Sequence, residues 1–300
     1  DWESLLSPQA HFLPHYDDLP APSFKLIKKA LNELVVCKLN GGLGTTMGCK
    51  GPKSAIVVRD GLSFLDLIIR QLQELNQKQG ASIPLALMNS FYTHEETIKG
   101  LGKHNKFLNI QTFEQNRYPR LLKDTGMPLN ESSFGVAAWY PPGHGDLFNC
   151  IENQGLLDRW LAEGKKLMFI SNSDNLGAFV DERIASYMSE SNCSFLMEVT
   201  NKTIADVKGG TLYQDVGQLR LLEVAQVPKK YIKDFCGTTK FKTFNTNNLW
   251  INLVDLKQKY KEGSFPLRVI ANQKKVNGVE IIQLETAAGF GIENFSYFSS

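Results

Sequence analysis

A segment rich in glycine and lysine near the N-terminus is the part of this sequence best suited to chemistry. Residues 38–54 read KLNGGLGTTMGCKGPKS, with five glycines and three lysines in seventeen positions. Glycine has no Cβ, so backbone N–H groups can approach an anion closely, and neighbouring lysines supply compact positive charge. A short apolar run with the composition of a strand, 34–37, precedes the segment. A strand that ends in such a loop predicts a phosphate-binding site.

The segment does not match either of the two commonest phosphate-binding motifs. The P-loop needs a second glycine five residues after the first, and the residue five positions after Gly44 is Cys49. The dinucleotide fingerprint G-x-G-x-x-G fits Gly42 and Gly44 but then meets Met47. Taken alone, the segment leaves open a glycine-rich surface loop with solvated lysines.

Composition narrows the class of protein. The 300 residues are 42% hydrophobic and 21% charged, with a net charge of +2, which is ordinary for a globular protein. The small net charge argues against a general nucleic-acid surface, and no apolar run reaches the ~18 residues of a membrane span. Five scattered cysteines without a C-x-x-C pair predict neither a disulfide framework nor a zinc site, and they indicate a reducing cytosol. We interpret Cys49 as a small filler residue rather than a reactive thiol.

The hydrophobic pattern alternates between strands and helices over the first part of the chain. Short apolar runs predict strands at 34–37, 85–88, 110–113 and 167–170. Apolar residues at helical spacing predict helices at 64–75, 93–101, 147–163 and about 181–190. Thr93 and Glu96 have the spacing of a capping box, and Asp146 is placed to cap the helix that follows it. This order predicts a mainly parallel sheet with helices on both faces.

The second half of the chain has a different pattern. Short β-type runs with few helices between them predict a mixed or antiparallel extension of the sheet, at 195–200, 211–214, 219–224 and 249–251. The first 30 residues are rich in proline and predict an extended lead-in with a short outer helix at 24–31. We therefore divide the chain into this lead-in, 1–30, and one α/β domain, 31–300, whose second half is rich in strands.

Polar residues follow the four strands of the predicted parallel sheet. The glycine-rich loop follows the first strand, Asn89 and Ser90 the second, Glu114 and Gln115 the third, and 171–174 the fourth. Open α/β sheets bind ligands at the carboxyl ends of their strands. Amides, a carboxylate and backbone donors are therefore expected at one edge of the sheet, which predicts a nucleotide site.

Eight blocks of the sequence are similar, in the same order, to blocks of one family. Segment 38–54 is close to the family signature LNGGLGTxMGCKGPKS, and the others are MNSF (88–91), QNRYPR (115–120), WYPPGHGD (139–146), SNSDNLG (171–177), MEVTNKT (197–203), FNTNNLW (244–250) and QLETAAG (283–289). They resemble the eukaryotic-type UTP–glucose-1-phosphate uridylyltransferases, or UDP-glucose pyrophosphorylases. The resemblance covers roughly residues 30–290, so it is more specific than any single motif.

The resemblance implies a fold and a reaction. The implied fold is the Rossmann-like nucleotide-diphospho-sugar transferase fold, an α/β fold with a mainly parallel mixed sheet flanked by helices and a β-rich half that binds sugar. The implied reaction is in-line attack of glucose 1-phosphate on the α-phosphorus of Mg-UTP, giving UDP-glucose and pyrophosphate without a covalent enzyme intermediate. These four small molecules are the partners that we expect, with no nucleic acid and no membrane, in the cytoplasm.

The resemblance also implies a set of nucleotide-binding residues. A primary amide presents a donor and an acceptor in one plane, as the N3–H and O4 of uracil require, and the resemblance gives this role to Gln115, with help from a backbone group of Gly143. A role for Gln115 as a strand-end cap stays open. The family's glycine-rich loop places four further residues at the nucleotide, namely Leu39, Asn40, Gly41 and Gly42.

Two charged residues are assigned to the phosphates of UTP. Lys53 is the candidate catalytic residue, because phosphoryl transfer mainly needs alignment and neutralisation of charge on the nonbridging oxygens. Asp174 is the candidate Mg²⁺ ligand, because Mg²⁺ prefers one or two carboxylates plus substrate phosphates; a turn cap is its alternative role. Lys50 and Lys38 share the phosphates or are solvated, and for Lys38 we favour the solvated interpretation.

The remaining candidates are assigned to the sugar phosphate. A general base is not required, because a sugar phosphate is already anionic at neutral pH, so we assign His144 and Asn172 to positioning rather than to proton transfer. A structural histidine is the alternative at 144. Three residues are carried over from the sugar pocket of the family by their motifs and a fourth is assigned to the same edge; core or turn roles stay open for all four: Gly210, Glu223, Asn248 and Glu285.

The family sequence continues beyond the point where this one ends. Its next parts are a basic motif, VKTTSDL, whose lysine helps to neutralise the phosphates, and a C-terminal parallel β-helix that commonly mediates oligomers. Both lie past residue 300, and oligomers are expected where the β-helix is present. The alternatives are a UDP-N-acetylhexosamine pyrophosphorylase, and a catalytically impaired fragment that binds nucleotide sugars.

Overall fold

The structure is a computed structural model, and it describes residues 2–43, 51–102, 104, 108–206, 209–215 and 217–295. The predicted roles of Lys50 and Cys49 lie outside these residues. In chain order, the strands are β1 (Leu34–Asn40), β2 (Val57–Arg59), β3 (Leu62–Ser63), β4 (Leu85–Asn89), β5 (Ile110–Glu114), β6 (Tyr118–Pro119), β7 (Leu121–Leu122), β8 (Trp139–Tyr140), β9 (Leu167–Asn172), β10 (Phe195–Asn201), β11 (Thr211–Asp215), β12 (Gln218–Leu222), β13 (Thr243–Asn252), β14 (Ile270–Val276) and β15 (Val279–Glu285). The α-helices are α1 (Phe24–Asn32), α2 (Phe64–Gln79), α3 (His94–Leu101), α4 (Glu131–Phe134), α5 (Leu147–Asn153), α6 (Leu156–Ala162), α7 (Glu182–Glu190), α8 (Ile232–Cys236) and α9 (Leu253–Lys261).

A six-stranded sheet in the order β10-β13-β9-β1-β4-β5 forms the centre of the fold. Strands β9, β1, β4 and β5 are parallel, and β13 pairs antiparallel with both β9 and β10. The predicted parallel sheet is therefore confirmed, and its antiparallel extension is confirmed for 195–200 and 249–251. The runs at 211–214 and 219–224 do not join this sheet, because β11 and β12 pair with each other in a separate two-stranded sheet. The carboxyl ends of the four parallel strands lie along one edge of this sheet, as the sequence predicts.

Two hydrophobic layers cover the faces of the central sheet. Alternate residues of β1 point to opposite faces, because side chains alternate along a strand. Val35, Cys37 and Leu39 pack into the layer that contains α5, α6 and α9, whereas Leu34 and Val36 pack into the layer that contains α1, α2 and α7. Helices therefore lie on both faces of the sheet, as expected of a mainly parallel sheet.

Strand β1 is longer than its apolar run, and Lys38 is buried within it. The prediction ended the strand at residue 37, but all seven residues from Leu34 to Asn40 are buried. The Lys38 amine is 3% exposed and donates to Ser171 Oγ and to the Ala178 carbonyl oxygen, each at 2.7 Å. The interpretation of Lys38 as a solvated lysine is therefore wrong, because pairing of β1 with β9 carries its side chain into the sheet.

Two predicted helix caps are also wrong. Helix α3 begins after Thr93 without a side-chain cap, because the Thr93 hydroxyl accepts from the Ser90 N–H and donates to the Asn40 carbonyl oxygen. The predicted helix 147–163 is two helices, because Gly155 between them has a left-handed backbone, φ 69°. Asp146 does not cap the first of them, since its carboxylate accepts from the backbone N–H of Asn116 at 2.7 Å.

The second half contains a hairpin that the sequence pattern did not predict. Strands β14 and β15 pair antiparallel over seven residues, and β7 joins them. The sequence of β14 is rich in Lys, Asn and Gln and is largely exposed, so it lacks the apolar alternation by which strands are recognised. Strand β15 contains apolar residues but is not assigned from the sequence without a recognisable partner. This hairpin lies beside the loop 142–146, where the Thr286 N–H donates to the Pro142 carbonyl oxygen at 2.8 Å.

The N-terminal residues pack on the β-rich half of the chain. The Trp2 ring stacks on Tyr231 at 4.7 Å and its Nε1–H donates to Asp234 at 2.7 Å. Leu6 forms a β-bridge with Gln214. The division at residue 30 stays a prediction. Within the ranges that the structure describes, none of the helices has the length and apolar character that crossing a bilayer demands.

Helix α2 has the capping box that α3 lacks, and this gives a stability prediction. Ser63 Oγ accepts from the Asp66 N–H at 3.2 Å, and Asp66 Oδ2 accepts from the Ser63 N–H at 2.9 Å. We expect Ser63→Ala to lower the free energy of unfolding by about 1 kcal/mol, because the backbone N–H of Asp66 loses the Ser63 hydroxyl as its acceptor. Urea unfolding followed by circular dichroism measures this. Ser133→Ala on exposed α4 is the control, expected within about 0.5 kcal/mol of the parent; equal effects of the two substitutions would contradict the prediction.

Candidate active site

A cavity of about 260 Å³ lies at the carboxyl ends of the parallel strands. Leu39 at the end of β1, Met88 in β4 and Asn172 at the end of β9 form its floor. The rest of its lining comes from loops, namely Gly41, Gly42, Lys53, Gln115, Pro141, Gly143, His144, Ser173 and Asp174. Most of the residues predicted to bind nucleotide therefore surround one cavity, together with His144 and Asn172 from the predicted sugar-phosphate group.

The side-chain amide of Gln115 lines the cavity, and its oxygen has no hydrogen-bond donor among the described residues. Its side chain is 8% exposed, and its backbone N–H donates to the Asn89 carbonyl oxygen at 2.9 Å. Its Oε1 is buried, and within the described part of the chain no group donates to it. A buried acceptor without a partner costs free energy, so a ligand N–H at this position would be stabilising. A Cβ on Gly41 would lie 2.0 Å from Gln115 Nε2, so the amide packs directly on the glycine backbone.

Asp146 holds the segment that carries Gln115. Its carboxylate is 4% exposed and accepts from the backbone N–H of Asn116 at 2.7 Å and from Asn116 Nδ2 at 3.0 Å. The Cys150 thiol donates to the same carboxylate at 3.2 Å. Because Asp146 follows His144 by two residues, one carboxylate joins the loop of His144 to the loop of Gln115.

Lys53 and Asp174 form an ion pair across the cavity. Lys53 Nζ lies 2.9 Å from Asp174 Oδ2, and their side chains are 33% and 27% exposed. Lys53 begins a short 3-10 helix, Lys53–Ala55, and Asp174 follows β9 by two residues. The cation predicted to hold phosphate and the carboxylate predicted to hold Mg²⁺ are thus adjacent.

His144 is a neutral hydrogen-bond donor at the wall of the cavity. Its Nδ1 accepts from the backbone N–H of Ala288 at 3.1 Å, which leaves the proton of the neutral ring on Nε2. Burial lowers the pKa of His144 from 6.5 to about 4, although nearby Glu285 acts in the opposite direction. The preceding Gly143 has φ 91°, and a Cβ there would lie 2.4 Å from the Thr286 carbonyl oxygen. The loop therefore requires glycine at this position.

Asn247, rather than Asn248, reaches the cavity residues. The pairing of β13 with β10 shifts between Glu198 and Val199, and Asn247 in this bulge has φ 59°. Asn247 Nδ2 donates to Asn172 Oδ1 at 2.9 Å, which orients the amide of Asn172. The predicted residue, Asn248, instead donates to Glu198 Oε2 at 3.0 Å. A bulge changes the direction of alternate side chains, so Asn247 and Asn248 have different partners, and the sugar-binding role of Asn248 stays a prediction.

Other predicted residues lie outside the lining of this cavity. Gly210 and Glu223 face each other, and a Cβ on Gly210 would lie 2.7 Å from Glu223 Oε1. Burial raises the pKa of the Glu223 carboxyl. The Glu285 carboxylate accepts from Lys274 Nζ on the neighbouring strand at 3.0 Å. Asn40 is 1% exposed, and its amide is used in hydrogen bonds inside the protein.

Comparison with known proteins identifies the family. A sequence model of the family described as UTP–glucose-1-phosphate uridylyltransferase matches residues 1–300. The chain belongs to this family. It is 49% identical over 303 residues to the UTP–glucose-1-phosphate uridylyltransferase of Solanum tuberosum and 49% identical over 301 residues to that of Pyrus pyrifolia, covering 98% and 99% of this chain. It spans 63% and 64% of the length of these two relatives.

Solved structures of UDP-glucose pyrophosphorylases are similar to the whole described fold. The enzyme of Trypanosoma brucei matches with a TM-score of 0.88 and 38% identity, over 98% of this chain and 64% of that one. A variant of the Leishmania major enzyme, solved with UDP-glucose, matches with a TM-score of 0.87 and 35% identity, over 98% of this chain and 65% of that one. The predicted family and the predicted fold class are confirmed.

The protonation of His144 can be tested within this uridylyltransferase fold. We expect a neutral ring with its proton on Nε2 at pH 7, and protonation only as the pH falls toward about 4. Two-dimensional ¹H–¹⁵N NMR of the histidine rings measures both, with the five histidines distinguished by His144→Gln. Because the folded pKa lies below the unfolded one, the stabilisation from this group is complete above pH 6.5 and is lost as the pH falls through the window 6.5 to 4. Protonation near pH 6.5 in the folded protein would contradict the buried placement.

Proposed function

We propose that this chain carries the uridylyl-transfer activity of its family, in which glucose 1-phosphate and Mg-UTP give UDP-glucose and pyrophosphate. The observation that carries the proposal is the single cavity that Gln115, Lys53, Asp174 and His144 share. A uracil-reading amide, a phosphate-binding cation, a metal-binding carboxylate and a donor for the sugar phosphate are the groups that this reaction needs. The relatives carry further sequence beyond the part matched here, so the activity is proposed for the site and not for the whole protein.

The free oxygen of Gln115 supports uracil as the base. The Oε1 acceptor pairs with the N3–H of uracil, and the Nε2 donor pairs with O4. Cytosine has an unprotonated N3 and an amino group at C4, which is the reverse pattern. A half-turn of the amide would exchange these two atoms, so a fixed second contact must discriminate between the bases, and the backbone of Gly143 lines the same cavity. Backbone groups of Gly41, Gly42 and Gly143 complete the nucleotide wall.

The phosphates are assigned to the Lys53 and Asp174 pair. The described residues contain no cluster of three or more His, Cys, Asp or Glu that would hold a metal by itself. One carboxylate at the cavity fits Mg²⁺, because this ion takes one or two carboxylates and completes its shell with substrate phosphates and water. Asp174 would hold the ion, which supplies neutralisation of phosphate charge when bound. Lys53 then leaves Asp174 and binds nonbridging phosphate oxygens.

The sugar phosphate is the nucleophile, and no proton has to be removed from it. One of its phosphate oxygens forms a bond to the α-phosphorus of UTP, the bond from that phosphorus to the bridging oxygen breaks, and pyrophosphate leaves with the electron pair. His144 donates from Nε2 to the attacking phosphate, and Asn172 donates from its amide nitrogen, since its Oδ1 is already used by Asn247. These residues align the reacting groups and are not themselves protonated or deprotonated.

We also propose the cytosol, a reducing compartment, as the location. Cys37 and Cys150 are buried free thiols. Burial raises the pKa of Cys37 to about 12 and also raises that of Cys150. Such thiols are structural and poorly reactive, which suits a compartment where cysteines stay reduced.

Replacing Lys53 tests the catalytic proposal. We expect Lys53→Ala to lower the rate of pyrophosphate release from UTP and glucose 1-phosphate at least ~100-fold, because one preorganised cationic donor is lost. Lys53→Arg keeps the charge and is expected to recover part of the rate, and Lys25→Ala on the exposed side of α1 is the matched control. A near-normal rate in Lys53→Ala would contradict the assignment.

The same assay on the parent chain tests the two alternative functions. Pyrophosphate release only with N-acetylhexosamine 1-phosphate would support the first, and binding of UDP-glucose without turnover would support the second.

Replacing Gln115 tests the choice of base. We expect Gln115→Leu to weaken UTP binding at least ~10-fold, because the polar edge of uracil is then buried without partners. Binding of CTP is expected to change much less, so the ratio of UTP to CTP affinity falls. Isothermal titration with each nucleotide and Mg²⁺ measures this, with Gln273→Leu on exposed β14 as the matched control. An unchanged ratio would show that other groups read the base.

A further inference from the structure

A second cavity, of about 280 Å³, lies on the face of the central sheet that α1, α2 and α7 cover. It is bounded by α2, by β1 and β9, and by the segment 178–180. Most of its wall is apolar and includes Val36, Leu72, Leu75 and Phe169. The Phe179 ring stands at its margin and is 62% exposed, which is unusual for a large aromatic side chain.

The buried amine of Lys38 belongs to this cavity. Two of its three N–H groups are donated to Ser171 Oγ and to the Ala178 carbonyl oxygen. Among the residues that the structure describes, Lys38 forms no ion pair. Glu198 acts on it from beyond ion-pair distance, and both oxygens of that carboxylate already accept hydrogen bonds, from Trp250 Nε1 and Asn248 Nδ2.

A buried ammonium without a counter-ion is costly. Burial lowers the pKa of Lys38 to about 8, so the charged form still predominates at neutral pH. The Phe169 ring, whose centroid lies 5.6 Å from Lys38 Nζ, interacts with the cation but carries no charge. An anion in the cavity would supply the missing counter-ion. The outer wall carries one negative and one positive side chain, Glu74 and Lys78, which lie one helical turn apart. Their charges offset each other, so this wall neither attracts nor repels an anion strongly.

The walls decide what kind of anion fits. A phosphate or another small hydrated ion would lose its water against an apolar surface without replacement partners. A carboxylate on an apolar body satisfies both parts of the cavity, since its head pairs with the amine and its body packs on the aliphatic and aromatic side chains. We propose that this cavity is an accessory binding site for a small apolar monocarboxylate, recognised by Lys38.

Direct binding of octanoate tests the proposal without reference to activity. We expect titration calorimetry to give one site for octanoate on the parent chain, and at least ~10-fold weaker binding of octylammonium, which has the same apolar body and the opposite charge. Lys38→Met keeps the length of the side chain, removes the charge and is expected to weaken octanoate binding at least ~10-fold. Lys25→Met is the matched control and is expected to bind as the parent does.

Two further variants separate this cavity from the candidate active site. Leu75→Trp fills the second cavity from its partly exposed wall and is expected to abolish octanoate binding while Lys38 stays in place, so it carries the test if Lys38→Met does not fold. Lys53→Ala changes only the first cavity and is expected to bind octanoate unchanged. The proposal is overturned by absence of octanoate binding, by equal binding of octylammonium, by full affinity in Leu75→Trp or in a folded Lys38→Met, or by loss of affinity in Lys53→Ala.

Discussion

The buried amide of Asn40 connects the strand ends on which the candidate active site stands. Its Nδ2 donates to Asn89 Oδ1 at 2.7 Å and to Thr97 Oγ1 at 2.9 Å, and its Oδ1 accepts from Ser173 Oγ at 3.1 Å. One side chain thereby joins the ends of β1 and β4, the loop after β9 and helix α3. Hydrogen bonds are strong in a buried site, and a buried polar group that loses its partner costs free energy. The network therefore fixes the relative positions of the loops that follow β1, β4 and β9.

The walls above this network are joined by hydrogen bonds rather than by apolar packing. Ser90 Oγ donates to the Gly41 carbonyl oxygen at 2.7 Å, which ties the glycine-rich loop to the end of β4. Asp146 ties Asn116 to the loop of His144. Thus hydrogen bonds of Ser90 hold the loop of Gly41, and hydrogen bonds of Asp146 hold the loop of Gln115 against the loop of His144. Polar links of this kind fix geometry without filling the cavity with side chains.

The parallel sheet and most residues that line the cavity could be predicted from the sequence. Side-chain directions that depend on an irregular backbone could not be predicted. Apolar runs followed by polar residues predicted four strand ends that meet at one edge, because pairing order and strand direction follow from the βα alternation. The direction of Asn247 depends on a bulge, and the use of Glu285 depends on pairing with Lys274 across an unpredicted hairpin. The burial of Lys38 is not predicted because the apolar run ends at residue 37, whereas the strand continues to Asn40. These features arise from tertiary pairing, which local pattern does not encode.

The contact between Lys53 and Asp174 places opposite charges side by side at the cavity. At 2.9 Å the two groups neutralise each other, and because about a third of each side chain is exposed, their pairing contributes only about 0–1 kcal/mol. A deeply buried pair would be far more costly to separate. The exposure of this pair therefore allows its members to exchange partners at small cost. Lys38 has no paired carboxylate among the described residues, and its buried amine donates to Ser171 and Ala178 instead. The two lysines thus differ because Lys53 meets a carboxylate at the cavity and Lys38 lies within a strand.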